Sequence, residues 1–172
     1  MKHLRHLFLL ALIALFSSCM TPYYSPSVLK GKYVSIPETN YEYYFIPESS
    51  SAEVVRYNPE EKEIVIPETV TYDGKTYNVE AMWGYYYGPV TSITVPNSIR
   101  IMSETAFSNC PSLNSITIPK NIAILKGFRF CKNLRNIHYL SGIDSLMTID
   151  KYAFKQSKFP VCVIPGNVIS IG

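Results

Sequence analysis

The chain has 172 residues and a formal net charge of +3, which falls to +1 over 154 residues if the first 18 residues are removed. A nucleic-acid-binding protein needs a clustered basic surface, so a composition this close to neutral argues against a nucleic-acid partner. The length that remains is enough for one domain.

The first 18 residues have the features of a secretory signal peptide. Lys2 and Arg5 precede an apolar run over residues 7–16, which is too short to cross a bilayer as a helix, and two serines follow it. Cys19 comes directly after these serines, and the whole segment resembles the lipobox of bacterial lipoproteins. The resemblance implies cleavage before Cys19 and lipidation of that cysteine. A plain cleaved signal, with Cys19 as a spare thiol, is the alternative.

Residues 19–32 are predicted to form a tether. Their prolines and serines, without apolar periodicity, are typical of an extended linker that holds a folded domain away from the lipid. One cysteine can hold a protein at a membrane when more than one acyl chain is attached to it. The lipid anchor is the only membrane contact that we expect. The predicted location is the bacterial outer membrane or cell surface, with the periplasmic face as a further option.

Two β-hairpins are predicted within a cap region over residues 33–80. The first spans 41–57 with a turn at 47–51, and the second spans 70–79. The second contains Asp73-Gly74, a strong signal for a two-residue turn in which both central residues adopt positive φ. Such a turn pairs Thr71 with Thr76. The hairpins could cover the open end of a stack of strands, where unpaired edges invite association.

A short segment recurs along the rest of the chain. TSITVP at 91–96 returns as NSITIP at 114–119, 23 positions later. Five segments share the pattern: EIVIP (63–67), SITVP (92–96), SITIP (115–119), NIHYL (136–140) and VCVIP (161–165). Alternate residues in each are apolar, which predicts a short strand with one buried side. The proline that closes four of the five, replaced by Leu140 in NIHYL, stops the ladder at the same place. We expect Ile93, Ile116 and Ile137 to form one buried column.

Each coil also carries a second apolar pair and a turn segment. The pairs are Ile99 and Ile101, Ile122 and Ile124, and Val168 and Ile171. A single helical turn is predicted from Ser103, and Phe107, Phe128 and Phe154 are predicted to point inward after the turns. One coil cannot bury these residues by itself, but stacked coils can, so the sequence predicts a solenoid.

The stretch NSIRIMSETAFSNCPSLNSITIP (97–119) resembles the BspA-like, Treponema-type leucine-rich repeat of bacterial surface proteins, whose pattern runs L-x-x-I-x-I-P-x-x-V-x-x-I-G-x-x-A-F-x-x-C. The match extends over residues 63–172 and is absent before about residue 40. It implies a β-rich solenoid of short strands and single helical turns, with repeats over 81–172 and the last repeat incomplete. It also implies a cell-surface interaction or adhesion module whose partner is a host, matrix or other surface protein.

The sequence disfavours an enzyme. His3 and His6 would leave with the signal peptide, and His138 lies in the outward column of a repeat strand, so a catalytic triad would have to be built on that residue. No C-x-x-C metal spacing and no phosphate-binding glycine loop is present, and neither a metal nor a cofactor is expected. A hydrolase that uses His138 is therefore the least favoured class.

Cys110 and Cys131 occupy the same repeat position and should stack in neighbouring coils. Their proximity would allow a disulfide if the Cβ vectors converge. A ladder of small buried thiols is favoured instead, because the repeat of the resembled family prefers cysteine at this position.

Two binding surfaces are predicted. The first is the aromatic loop over residues 83–88, with Trp83, Tyr85, Tyr86 and Tyr87 as candidates, because tyrosine and tryptophan offer broad amphipathic contact. Some of these rings could instead replace the phenylalanine that the first repeat lacks. The second is the outward strand face, with Thr94, Thr117 and His138. The sequence favours binding of a protein ligand, and a glycan-binding accessory lipoprotein that uses the loop is the alternative.

The final residues, NVISIG (167–172), stop partway through a coil. Solenoids normally carry a polar terminal cap, and these residues are largely apolar. Self-association through an uncapped C-terminal end is therefore an expectation.

Overall fold

The computed structural model describes residues 31–58, 60–83, 88–139, 148–157 and 166–172. The predicted signal peptide, Cys19, Tyr85, Tyr86, Tyr87 and the segment 161–165 lie outside these residues, as does the predicted tether up to residue 30. The strands of the described part are β1 (Lys32–Ile36), β2 (Tyr41–Ile46), β3 (Ser51–Arg56), β4 (Glu63–Val65), β5 (Thr69–Tyr72), β6 (Lys75–Met82), β7 (Ser92–Thr94), β8 (Ile101–Met102), β9 (Ser115–Ile118), β10 (Ile124–Leu125), β11 (Asn136–Tyr139), β12 (Thr148–Ile149) and β13 (Ser170–Ile171). A short 3-10 helix covers Pro37–Thr39.

The predicted repeat strands form one parallel sheet in the order β11-β9-β7-β4. Ile64 pairs in register with Ile93, Ile93 with Ile116, and Ile116 with Ile137. The first three of these isoleucines are buried and the fourth is partly buried. The predicted isoleucine column is therefore confirmed, and it begins one rung earlier, at Ile64.

A second row of short strands runs along another side of the coils. Strands β10, β12 and β13 pair in parallel, and β8 pairs in parallel with the end of β6. Met102, Leu125 and Ile149 fill the core of this row, whereas Ile124 is 37% exposed and Ile101 is partly exposed. The expectation that Ile101 and Ile124 complete the second apolar pair is wrong, because the next buried residues after Ile99 and Ile122 are Met102 and Leu125, each one position further along the chain than expected.

The turn segments form a third column, which is held by stacked rings. The rings of Phe107 and Phe128 lie 5.9 Å apart at 14°, and those of Phe128 and Phe154 lie 5.8 Å apart at 19°. The predicted helical turn after Ser103 consists of two successive turns closed by hydrogen bonds, from the Ala106 N–H to the Ser103 carbonyl and from the Ser108 N–H to the Thr105 carbonyl. The inward direction of Phe107 and Phe128, both fully buried, is confirmed.

Backbone hydrogen bonds also join the turn segments from coil to coil. The Phe107 N–H donates to the Gly127 carbonyl at 3.0 Å, and the Phe128 N–H donates to the Ala153 carbonyl at 2.9 Å. The residue two positions after each phenylalanine adopts a positive φ: Asn109 (66°), Phe130 (61°) and Gln156 (59°). The turns are therefore as closely aligned as the strands, although the spacing along the chain differs between coils.

Both predicted hairpins are present in the cap, which is a sheet in the order β1-β2-β3-β6-β5. Thr71 pairs with Thr76 as predicted, and Asp73 and Gly74 have φ values of 51° and 70°. Strand β1, which lies antiparallel to β2, was not predicted from the sequence. Because β8 pairs with the end of β6, the cap continues directly into the second row of strands.

Aromatic rings join the cap to the repeats. Tyr57 is 4% exposed, and its ring lies 5.6 Å from that of Tyr41 and 5.5 Å from that of Phe107. The Tyr41 hydroxyl donates to the carbonyl of Val65, on the strand at the cap end of the parallel sheet. The cap therefore buries the first rung and occupies one of its carbonyl groups.

No helix within the described ranges is long and apolar enough to cross a membrane.

We expect Phe128→Ala to be among the most destabilising substitutions in the repeats. The ring is fully buried between Phe107 and Phe154, and truncation of such a phenylalanine costs about 3–5 kcal/mol. Urea denaturation measures this destabilisation. Val65→Ala, at a strand position that is 62% exposed, is the control and should change stability by no more than about 0.5 kcal/mol. Equal destabilisation by the two variants would contradict the stacked core.

Gly127→Ala is expected to destabilise the protein more than Gly74→Ala. Both glycines have positive φ, but a Cβ on Gly127 would lie 2.7 Å from the Ser103 carbonyl oxygen, whereas a Cβ on Gly74 would meet no atom within 4 Å. The Gly74 variant should therefore cost about 1 kcal/mol from backbone strain alone, and the Gly127 variant should cost more. Thermal denaturation of both variants checks the order, and a milder effect at Gly127 would contradict the close approach of the two turns.

Candidate binding surfaces

The outward side of the parallel sheet presents two rows of aligned side chains. The register places Glu63, Ser92, Ser115 and Asn136 in one row, and Val65, Thr94, Thr117 and His138 in the next. Thr94 and His138 are exposed and Thr117 is half-buried. All three predicted candidates on this face therefore lie in one continuous line across neighbouring strands.

This face is polar with little charge. Serine and threonine hydroxyls can both donate and accept hydrogen bonds, so the rows offer contacts of either kind without an ionised group. Glu63, at the cap end, is the one acidic residue in the two rows. Adjacent strands lie about 4.8 Å apart, which sets the repeat of the face along the stack.

A third row, one residue before the strands, flanks this face. It consists of the exposed residues Lys62, Thr91, Asn114 and Arg135. The Thr91 hydroxyl donates to the Lys62 carbonyl at 3.0 Å, and the Asn136 amide donates to the Asn114 side-chain oxygen at 2.9 Å. These bonds tie neighbouring coils together at the edge of the face, so the surface is ordered by side chains as well as by the ladder.

His138 is exposed on β11, and no hydrogen bond or ion pair joins its side chain to another residue of the described ranges. Its neighbour in register is Thr117. In the part of the chain that the structure covers, no group of three or more His, Cys, Asp or Glu side chains could hold a metal ion. The geometry of His138 suits contact with a ligand.

Trp83 directly follows β6, and its backbone N–H donates to the Val54 carbonyl at 2.7 Å. This bond continues the pairing of β6 with β3 by one residue and fixes the start of the aromatic loop. The Trp83 side chain is half-buried. The three tyrosine candidates of the loop fall outside the described residues, so Trp83 is the part of this predicted surface that the structure places.

Glu53 lies next to Trp83 and was not predicted from the sequence. It sits on β3, in register with Tyr44 on β2 and Ala81 on β6. Burial raises the pKa of the Glu53 carboxyl to about 7, and a hydrogen bond with the Trp83 side chain opposes this rise in part. The two residues lie on segments well separated in the sequence, so only the pairing of β3 with β6 brings them together.

Cys110 and Cys131 are free thiols in the structure, and both are fully buried. Their mutual hydrogen bond and burial raise the pKa of Cys110. The Cys131 thiol donates to the Phe107 carbonyl at 3.2 Å, and in the next coil the Ser157 hydroxyl donates to the equivalent Phe128 carbonyl at 2.8 Å. This position therefore needs a small donor to the preceding coil, and cysteine or serine can supply it.

The raised pKa of Glu53 predicts a pH-dependent stability. A carboxyl with a pKa near 7 in the folded state and near 4.5 in the unfolded state binds more protons when folded, at pH values between the two. Its contribution to the free energy of unfolding is therefore fully present below about pH 4.5 and is lost as the pH rises through 7. Glu53→Gln should therefore stabilise the protein more at pH 8 than at pH 5. Urea midpoints at both pH values measure this difference. Glu63→Gln, an equal change of charge at an exposed position, should show a much smaller difference between the two pH values, and identical behaviour of the two variants would contradict the burial of Glu53.

Comparison with known proteins gives the family. The BspA type leucine rich repeat region, in six copies, matches residues 83–172, which is more than half of the chain. A search of curated proteins found no match to this chain.

Several solved structures are similar. A leucine-rich repeat protein from Bacteroides ovatus has 28% sequence identity and a TM-score of 0.57, with 83% of this chain and 36% of that protein covered. The pneumococcal vaccine antigen PcpA has 19% identity and a TM-score of 0.61, with 84% and 47% covered, which shows a shared fold. A leucine rich cell surface protein from Faecalibacterium prausnitzii has 20% identity and a TM-score of 0.45, with 82% and 50% covered.

The chain thus spans between about a third and a half of the length of these three proteins. The repeat match, the in-register isoleucine column and the stacked phenylalanine rings agree with one another. This chain belongs to the BspA type leucine-rich-repeat family.

Proposed function

We propose that the chain is a non-catalytic binding module of the cell surface, held there through lipidated Cys19, and that a protein ligand docks on the outward face of its parallel sheet. The observation that supports this is the register that sets Thr94, Thr117 and His138 side by side on neighbouring strands. Membership of a surface-protein repeat family is consistent with such a role.

The size of the face bears on the kind of complex that it can form. Four strands at about 4.8 Å span roughly 15 Å, and three residues along a strand span about 10 Å, so the two rows cover about 150 Å². A stable protein interface buries about 800 Å² on each partner. A ligand must therefore also cover residues beyond the two rows, and the exposed flanking row of Lys62, Thr91, Asn114 and Arg135 is next to them along the chain.

The chemistry of the face favours a protein over a small substrate. Its hydroxyl and amide groups can pair with backbone and polar side chains of a partner, whereas small molecules bind in concave pockets and these rows lie on the open side of a sheet. Alignment by the ladder and by the Asn114–Asn136 bond keeps these groups in fixed positions. A preorganised surface loses little conformational entropy when it binds.

A glycan ligand at Trp83 is the second candidate, and the position of Glu53 favours it. The indole is anchored by the bond from its backbone to Val54 and lies against a carboxyl group. An aromatic ring next to a hydrogen-bonding carboxyl can contact both the apolar face and the hydroxyl groups of a sugar. Tyr85, Tyr86 and Tyr87 would extend this surface.

The double variant Thr94→Lys, Thr117→Lys tests the docking face. Long charged side chains in the centre of the row should reduce binding of a protein ligand by about tenfold or more, because a clash or an unpaired charge at the centre of an interface costs about 1–2 kcal/mol or more. The measurement is surface binding of the full chain to laminin, collagen and fibronectin. Thr71→Lys, Thr76→Lys makes the same change on exposed hairpin positions and should leave binding unchanged.

The same panel should include neutral glycans, with Trp83→Ala and Tyr86→Ala as further variants. Abolished glycan binding in these two variants, with the threonine variants unaffected, would favour the glycan-binding role. If neither pair of substitutions changes binding to any matrix protein or glycan that the unaltered chain binds, both proposed surfaces are wrong.

A further inference from the structure

The charges of this chain are divided between its two parts. The described cap residues, 31–58 and 60–83, include four Lys and Arg and ten Asp and Glu, which gives a formal charge of −6. The described repeat residues, 88–139 and 148–157, include eight Lys and Arg and two Asp and Glu, which gives a formal charge of +6. The near-neutral total therefore hides an acidic cap and a basic stack of repeats.

Three of the repeat cations gather around one ring. The Lys151 Nζ lies 4.6 Å from the centroid of the Tyr152 ring, the Lys155 Nζ lies 5.0 Å from it, and the Arg129 guanidinium carbon lies 5.3 Å from it. We name these four residues the basic turn cluster. The Tyr152 side chain is 40% exposed and the two lysines are exposed, so the cluster is open to solvent.

The solenoid itself holds the cluster together. Arg129 and Lys155 each follow the stacked phenylalanine of their coil, and the N–H of Phe130 donates to the carbonyl of Lys155 at 2.8 Å. In the preceding coil the equivalent residue is the uncharged Ser108. Stacking of the turns thus makes neighbours of two cations that lie in different coils of the chain.

The cluster lacks a compensating anion. No ion pair reaches Arg129, Lys151 or Lys155 from the residues that the structure describes. The adjacent carboxylate, Asp150, accepts the backbone N–H of Tyr152 at 2.9 Å and so serves the turn. The Arg129 Nε is buried without a hydrogen-bond acceptor in the described structure. Three like charges around one ring repel one another, and a bound anion would relieve that cost.

We propose that the basic turn cluster is a binding site for an anionic polysaccharide, a chain that carries sulfate or carboxylate groups. The three cations pair with its anionic groups, and the Tyr152 ring contacts the apolar face of a sugar. An anionic lipid surface is the competing occupant, since Ile169 and Ile171 in the adjoining coil are 75% and 60% exposed, and the vesicle measurement below separates the two. A long nucleic acid needs an extended basic surface, whereas this cluster has three cations and the cap is acidic.

This site lies on the turn side of the coils, and it is separate from the outward strand face and from Trp83. It does not depend on the protein ligand proposed above. A repeat module with two such surfaces can hold a protein partner and a charged glycan at the same time.

The test uses the full chain and dextran sulfate, with unsulfated dextran as the neutral polymer of the same backbone. We expect binding to dextran sulfate alone, weakening as salt rises from about 50 to 300 mM because exposed charges are screened. Lys151→Gln, Lys155→Gln should weaken binding about three- to tenfold, as expected for two exposed ion pairs. The matched control is Lys32→Gln, Lys75→Gln, since each of these lysines also lies over a tyrosine ring, at 5.4 Å and 4.9 Å, but in the acidic cap.

The control pair should leave the affinity within about twofold of the unaltered chain, because its lysines lie outside the cluster. Equal weakening by both pairs would show a general effect of charge and would overturn the assignment. Binding to phosphatidylglycerol vesicles without binding to dextran sulfate would replace the polysaccharide with a lipid and would also overturn it. Unchanged far-UV circular dichroism and urea midpoints of both double variants confirm that each remains folded.

Discussion

The burial of apolar side chains between neighbouring coils is the interaction on which the rest of this structure depends. A single coil offers an isoleucine, a phenylalanine and one more aliphatic residue on three different sides, and it cannot cover any of them by itself. Stacking places Ile93 on Ile116, Phe107 on Phe128, and Leu125 on Ile149. Each layer is therefore stabilised by its neighbours, as in other solenoids, and the terminal layers need a different solution.

At the start of the stack the solution is an aromatic cap. Tyr41 and Tyr57 pack between the cap sheet and the first coils, and the Tyr41 hydroxyl bonds to a carbonyl on the end strand. The cap is joined to the repeats through β6, whose last residues pair with β8. The hairpin of β5 and β6 is thus an insertion between the first repeat strand, β4, and the second row of strands.

The surfaces of the molecule follow from the same stacking. Because the ladder fixes one residue of each coil opposite its counterpart in the next, any outward residue type becomes a row, as with Thr94, Thr117 and His138. Stacking of the turns likewise brings charged residues of neighbouring coils together, as with Arg129 and Lys155. The family of repeats sets the geometry, and the residues that the core leaves free determine what each row can bind.

The sequence by itself determined the repeat, because a strand with one buried side must alternate and a closing proline must recur. That pattern predicted the isoleucine column, the inward phenylalanines and the Asp73-Gly74 hairpin, all of which are confirmed. These features depend on local spacing, which a single chain displays directly.

Tertiary structure decided what local spacing cannot express. The inward position of Met102 and Leu125 in place of Ile101 and Ile124 depends on where the chain turns after each proline. The approach of Glu53 to Trp83 depends on the parallel pairing of β3 with β6, and the ring of cations around Tyr152 depends on two coils of unequal length being stacked in register. In each case the decisive contact joins residues from different segments, and its geometry is set by the packing of whole layers.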